Sequence, residues 1–151
     1  MLRDDINTSL KDAMKGGDKR RVSTLRLVNS ALKNADIEAR GQGKEPLTDD
    51  DLLGLMQKMI KQRQESIELY EKGARADLAD QEREEIAIIA AYLPKQMSEE
   101  DAKAAVAAVV TEIGAQGMKD MGKVMTALKQ RYAGKMDFGK ASPIVKGMLA
   151  E

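Results

Sequence analysis

The stretch Gly117-Met118-Lys119-Asp120-Met121-Gly122-Lys123-Val124 has the glycine, four-residue gap, glycine and lysine of a phosphate-binding loop. That chemistry also needs a hydroxyl after the lysine to hold magnesium and a β-strand before the first glycine. Here Val124 takes the hydroxyl's place, and the preceding residues read as a helix ending at Gly114, so a nucleotide site is not expected. The same residues still pose an electrostatic question. Lys123 falls in the first turn of a helix that Asp120 is placed to cap, where the helix dipole disfavours a cation. Two readings answer it. Either Lys123 pairs with Asp120 three residues back and Gly122 lets another helix pack close, or the helix amides, Gly122 and Lys119 or Lys123 together receive a phosphate of a nucleic acid backbone.

Lys129, Arg131, Lys135, Lys140 and Lys146 carry positive charge onward from that point, and residues 116–151 hold seven Lys/Arg against three Asp/Glu. Such a run suits a surface that tracks phosphates, although a solvated lysine face has the same composition. Three tyrosines and one phenylalanine leave little for base stacking, so any RNA contact should read shape, phosphates and ribose hydroxyls. A second basic cluster comprises Lys15, Lys19, Arg20, Arg21 and Arg26 near the start of a helix. It calls for an acidic patch from the middle of the chain or for an external anion, the intramolecular match being the simpler.

The chemistry that is missing narrows the field further. With no histidine and no cysteine there is no imidazole base, no thiolate nucleophile and no ordinary zinc ligand set. Ser23, Ser30 and Ser66 fall inside helical patterns, not in the strand-and-loop setting of serine amidases. Asp49-Asp50-Asp51 lacks the spaced ligands and turn glycine of a calcium loop, and Met56, Met59, Met121, Met125 and Met148 lie on apolar stripes as packing residues. No catalytic residue, metal site or cofactor is expected. Twenty-five basic and 25 acidic residues cancel, but unevenly: residues 1–44 carry ten Lys/Arg to six Asp/Glu, and residues 71–101 carry four to nine.

The elements that must position these groups are helical, because Ala, Leu, Met, Lys, Glu and Gln dominate and no alternating strand pattern appears. Leu2, Ile6, Leu10, Ala13 and Met14 mark a first helix stopped by Gly16-Gly17. Asp18 is placed to cap a second, with Leu25, Val28, Leu32, Ala35 and Ala39 inside, ending at Gly41-Gln42-Gly43. Thr48 and Asp51 form a capping-box pattern for a third, running through Leu52, Met56, Met59, Ile60, Arg63 and Ile67 to Gly73. Leu78, Glu82, Ile86, Ile89 and Leu93 continue as a fourth until Pro94, which bars the α conformation at Leu93. Pro94 to Met97 reads as a linker. Ser98 and Asp101 restart a helix whose stripe is Ala102, Val106, Val109, Val110 and Ile113, and Met121, Val124, Met125 and Leu128 mark the next. A last helix buries Ile144, Val145, Met148 and Leu149 and starts at Ser142-Pro143 or at Asp137. The expected fold class is all-α: a bundle of about four helices over 1–94, then a three-helix unit over 95–151. No segment is apolar for the roughly 20 residues that span a bilayer, and no signal sequence is apparent, so a cytoplasmic protein without membrane contact is expected.

Several strings carry a family resemblance. Tyr92-Leu93-Pro94-Lys95-Gln96-Met97-Ser98-Glu99-Glu100, Gly114-Ala115, Met118 to Met125, Gly134 with Asp137, and Ser142 with Val145-Lys146 resemble the YqeY family, whose C-terminal half is similar to the tail domain of the GatB subunit of tRNA-dependent amidotransferases. Arg26 to Asn34 and Lys61 to Ile67 resemble the same family's N-terminal helices. Met136-Asp137-Phe138-Gly139 and Pro143 depart from its pattern. The resemblance implies an all-helical two-part chain and a carbon-nitrogen ligase activity with glutamine as amido donor, inherited by association with a catalytic domain absent here. It implies binding more than chemistry: a non-catalytic tRNA- or RNA-binding or adaptor module, with Lys119, Gly122, Lys123, Lys129, Arg131, Lys135 and Lys140 as the RNA-facing residues. The partners it implies are tRNA or another folded RNA, and amidotransferase or tRNA synthetase proteins. The alternatives are a ligase component active only with partners, and a protein-interaction module without RNA.

Overall fold

Short-range side-chain chemistry sets where most helices begin and end in the computed structural model, which describes residues 1–150. Helix α1 (Leu2–Gly16) stops at Gly17, whose φ of 72° lies in the left-handed region that glycine adopts without a Cβ clash. Asp18 accepts from the Arg21 amide at 3.1 Å and opens α2 (Lys19–Gly41). Thr48 and Asp51 form the full reciprocal box at the start of α3 (Asp49–Lys72), the hydroxyl accepting from the Asp51 amide and the carboxylate from the Thr48 amide. Ser98 caps α5 (Glu99–Ile113) through the Asp101 amide.

Three boundaries differ from, or decide between, the sequence expectations. Helix α4 (Ala76–Ala90) stops short of Leu93: the Tyr92 and Leu93 amides reach back only three residues, to Ile89 and Ala90, so the chain tightens before Pro94. A 3-10 turn (Met118–Asp120) leads into α6 (Met121–Tyr132), and Asp120 does not cap that helix; its carboxylate accepts from the Gln116 amide at 3.0 Å instead. Of the two starts open for the last helix, α7 (Phe138–Leu149) takes Asp137, which accepts from the amides of Gly139 and Lys140. Pro143 therefore lies inside α7, on an exposed face where water can serve the carbonyl that the missing N–H leaves behind. Among the described residues there is no strand, and no helix is long and apolar enough to cross a membrane.

The chain divides into two compact units, Met1–Leu93 and Pro94–Glu151. In the first, α3 and α4 are joined by three residues and pack along their length as a hairpin, with α2 lying against α4 and α1 against α2. Ile6, Leu25, Val28, Leu32, Leu52, Met56, Met59 and Ile89 form its core, and Tyr92 and Leu93 pack onto it. Met14, expected on the α1 stripe, points outward. In the second unit, Val106 and Val109 of α5, Val124 and Leu128 of α6, and Ala141, Val145 and Leu149 of α7 close around Met136 from the α6–α7 loop. Ile113, expected inside α5, is 37% exposed because Gly114 already turns the chain there.

Charge enters the first unit's interior at one place. Arg63 on α3, 13% exposed, donates to Glu85 on α4 at 3.0 Å and to the Met59 carbonyl at 3.2 Å, with Glu82 at 3.9 Å. Burial, and then the neighbouring Glu85 carboxylate, hold Glu82 above the usual glutamate range against the pull of Arg63. Elsewhere, Arg3 on α1 grips Asp36 on α2 at 2.6 Å, and Asp36 also accepts from the Leu47 amide, which pins the loop before α3. The Arg3 hydrogen bond is the main reason the Asp36 carboxyl sits below its ordinary range.

Two outcomes test this packing. Arg63→Met leaves two close carboxylates without their cation and should cost about 2–3 kcal/mol at pH 7. A carboxyl whose folded pKa exceeds its unfolded value of about 4.3 binds more protons when folded, so stability falls as pH rises between those two values. Part of the Arg63→Met loss should therefore return on acidification toward pH 5, which urea melts at both pH values would show. Thr24, fully buried, has a hydroxyl with no hydrogen-bond partner among the described residues. Thr24→Val should leave stability unchanged or raise it by up to about 1 kcal/mol in the same melts.

Candidate nucleic-acid interface

The second unit builds its basic surface on a small frame. Gly134, with φ at 78°, ends α6 by turning the chain, and the amides of Lys135 and Met136 bond back to the Tyr132 carbonyl at 3.0 and 3.1 Å. The turn inserts Met136 into the core and leaves Lys135 outside. The Lys135 carbonyl accepts from the Met97 amide at 2.9 Å, and the Gln96 side chain donates to the Gly134 carbonyl, so the segment before α5 fastens the α6–α7 loop.

On this frame all seven residues expected to face RNA are exposed. Lys119 lies on the 3-10 turn, Gly122 and Lys123 in the first turn of α6, Lys129 and Arg131 near its end, Lys135 in the loop and Lys140 in the first turn of α7. They do not share one helix face. Two residues apart on a helix means about 200° of rotation, so Lys129 and Arg131 flank opposite sides of the buried stripe. Arg131 is also already matched: its guanidinium makes two parallel bonds to Glu112 on α5, at 2.6 and 2.8 Å. Those bonds, and then the opposite charge, hold the Glu112 carboxyl low and the Arg131 guanidinium high. Nothing along the chain announces this pair, because Glu112 and Arg131 are 19 positions apart and meet only through packing.

The amino end of α6 bears on both readings of Lys123. Its ammonium lies 4.0 Å from Asp120, at the limit of an ion pair, and the side chain is 75% exposed. That contact is too loose and too wet to be worth much. The pair is present but weak, and the packing role for Gly122 is not met. A Cβ built there would find nothing within 4 Å, and its backbone is not in the left-handed region. A glycine in an exposed helical turn gives up helix propensity, here without a backbone or packing need that explains it. The Asp120 carboxylate faces Gln116 and makes no capping bond, so the end of the helix dipole is open between Lys119 and Lys123.

The other basic cluster divides. Arg20 meets Glu84 of α4 at 3.0 Å, an acid from the middle of the chain as the intramolecular reading expects. Lys15, Lys19, Arg21 and Arg26 find no such match among the described residues.

Comparison with known proteins bears on the whole chain. A profile of the family described as Yqey-like protein matches residues 3–149. The chain is 36% identical over 111 residues to "Altered inheritance of mitochondria protein 41, mitochondrial" of Lachancea thermotolerans, covering 72% of this chain and 58% of that protein. It is 35% identical over 94 residues to an uncharacterized protein of Schizosaccharomyces pombe, covering 62% of this chain and 72% of that one. A protein of Clavispora lusitaniae with the same mitochondrial-inheritance name is 27% identical over 151 residues, covering 98% of this chain and 85% of its own. Against the Lachancea protein and its Vanderwaltozyma polyspora counterpart, the chain spans only about half of their length, 58% and 46%. With its all-helical sequence matched almost from end to end, this chain belongs to the YqeY-like family.

Proposed function

We propose that the protein is a GatB-tail-like, non-catalytic RNA-binding adaptor associated with tRNA-dependent amidotransfer, which grips folded RNA, tRNA in the first instance, through the amino end of α6. The observation that supports this most is Gly122: an exposed glycine in a first helical turn, flanked by Lys119 and Lys123, where neither packing nor backbone conformation calls for one. Glycine lets a phosphate approach the backbone closely, the helix dipole favours the anion, and the two lysines supply charge. Lys135 and Lys140 extend the surface around the loop, while Lys129 stands on the other flank and Arg131 contributes only if Glu112 releases it. In this reading the RNA is recognised by its phosphates and its shape, since the surface offers no aromatic platform. The adaptor role brings amidotransferase or tRNA synthetase proteins to that RNA in an aqueous compartment, the cytoplasm in the first instance, with mitochondria indicated by the names of the fungal relatives.

The test is a titration of labelled tRNA at several salt concentrations. Lys119→Glu/Lys123→Glu should weaken binding and reduce the slope of log K against log salt by roughly two, about one per lost phosphate contact. Gly122→Ala should separate function from stability, raising the unfolding free energy by up to about 1 kcal/mol while weakening RNA binding. No affinity for tRNA, or affinity indifferent to the double reversal, would remove the reading.

A further inference from the structure

Lys19, Arg26, Lys33 and Arg40 recur every seven residues along α2, and all four are exposed. A heptad advances about 10.5 Å along an α-helix and drifts only about 20° around it, so the four make a single column about 31 Å long. None of them is ion-paired among the described residues, although Arg20 on the same helix is held by Glu84. Asp36, the acid nearest Lys33 on this helix, is already occupied by Arg3 and the Leu47 amide.

Beside the column runs a groove. Helices α2 and α3 touch over only a few residues and leave a cavity of about 390 Å³ between them, with Ala31, Leu55 and Met59 among its lining and Leu27, 50% exposed, on its rim. Ser30 also lines it, four residues after Arg26 and three before Lys33, so those cations flank its mouth on the α2 side. Lys58 stands on the α3 side, exposed and without an ion pair among the described residues. Leu27, Ala31, Leu55 and Met59 give the groove an apolar strip among the polar Ser30, Asn34, Gln62 and Arg63, and with the cations along its edges it complements an amphipathic helix whose apolar stripe is bordered by carboxylates. The seven-residue spacing of the cations matches heptad-spaced acids on a helix laid along α2. A nucleic acid would use the cations but would set its phosphates against Leu27 and against Ile37, which is 69% exposed.

We infer that the α2–α3 groove is the docking site for an acidic amphipathic helix of a partner protein. The site belongs to the first unit, the RNA surface on α6 to the second, and neither proposal rests on the other. The probe is a labelled synthetic peptide of three heptads, apolar at a and d with glutamate at e and g, titrated against the full chain beside a scrambled peptide of the same composition. The wild type should bind the first peptide saturably and more tightly than the second. Arg26→Glu/Lys33→Glu and Leu27→Asp should each weaken it tenfold or more, and Arg26→Lys/Lys33→Arg should retain it. Lys119→Glu/Lys123→Glu should leave peptide binding unchanged while lowering tRNA binding, so the two surfaces can fail separately. Circular dichroism establishes that each variant is folded. Absent binding, equal binding of the scrambled peptide, or indifference to the reversal overturns the inference. So does a loss of RNA affinity alone in Arg26→Glu/Lys33→Glu, which makes the column a phosphate surface. Self-association that Leu27→Asp abolishes overturns it too, because the occupant is then a second copy.

Discussion

The Arg63 guanidinium has to satisfy Glu85, Glu82 and the Met59 carbonyl from a nearly buried position, and the arrangement of the first unit follows from that demand. Two carboxylates so close together repel at neutral pH, and the Arg63 cation that relieves them ties α3 to α4. The apolar side chains of that hairpin then offer one face, and α2 lies along α4 to cover it while α1 covers α2. Arg20 with Glu84 and Arg3 with Asp36 fix α2 from either side. Once α2 is held this way, its unpaired cations have nowhere to point but outward.

Neither unit has much material for a core. The chain contains no tryptophan, one phenylalanine and no cysteine, so the fully buried residues of both interiors are mainly aliphatic and methionine side chains. In the second unit a loop residue, Met136, completes the packing, and the turn that delivers it is held by hydrogen bonds from the segment preceding α5. Methionine suits this role because its flexible thioether fills an irregular gap that a branched side chain would not. The segment from Met136 to Gly139 is thus a functioning corner: Met136 fills the core and Asp137 caps α7.

Arginine and lysine are handled differently in both units. Arginines tend to be spent internally, as with Arg3, Arg20, Arg63 and Arg131, each matched to a carboxylate on another helix through a planar fork that holds its geometry. Most lysines are left to the solvent. What remains unpaired is ordered nonetheless, as a heptad column beside an apolar groove in one unit and as a cluster around an open helix start in the other.

Helix class, helix count and most helix starts were legible in the chain itself, because caps such as Asp18, Thr48 with Asp51, and Ser98 act over three residues and depend on nothing distant. Most of the apolar stripes were legible for the same reason, since a period near 3.6 is a property of consecutive residues, but Met14 and Ile113 face solvent and α4 buries Ala79 and Glu85 where Leu78 and Glu82 were expected. The site was legible as a set of residue types, and less so as a surface. Asp120 has the right identity for a cap, yet Gln116 claims its carboxylate; Arg131 has the right charge for RNA, yet Glu112 claims it. Gly122 announces a glycine but not its reason, which requires knowing that the space beyond it is empty. The heptad of cations on α2 is written in the sequence, but its meaning rests on which acids lie within reach and on the gap that α2 and α3 leave between them. The sequence by itself determined where the chain coils and which stripe each coil buries, because those are energies of neighbours along the chain. Tertiary structure alone decided which charges are cancelled and which stay available, because that depends on distances between side chains that sequence separation does not constrain.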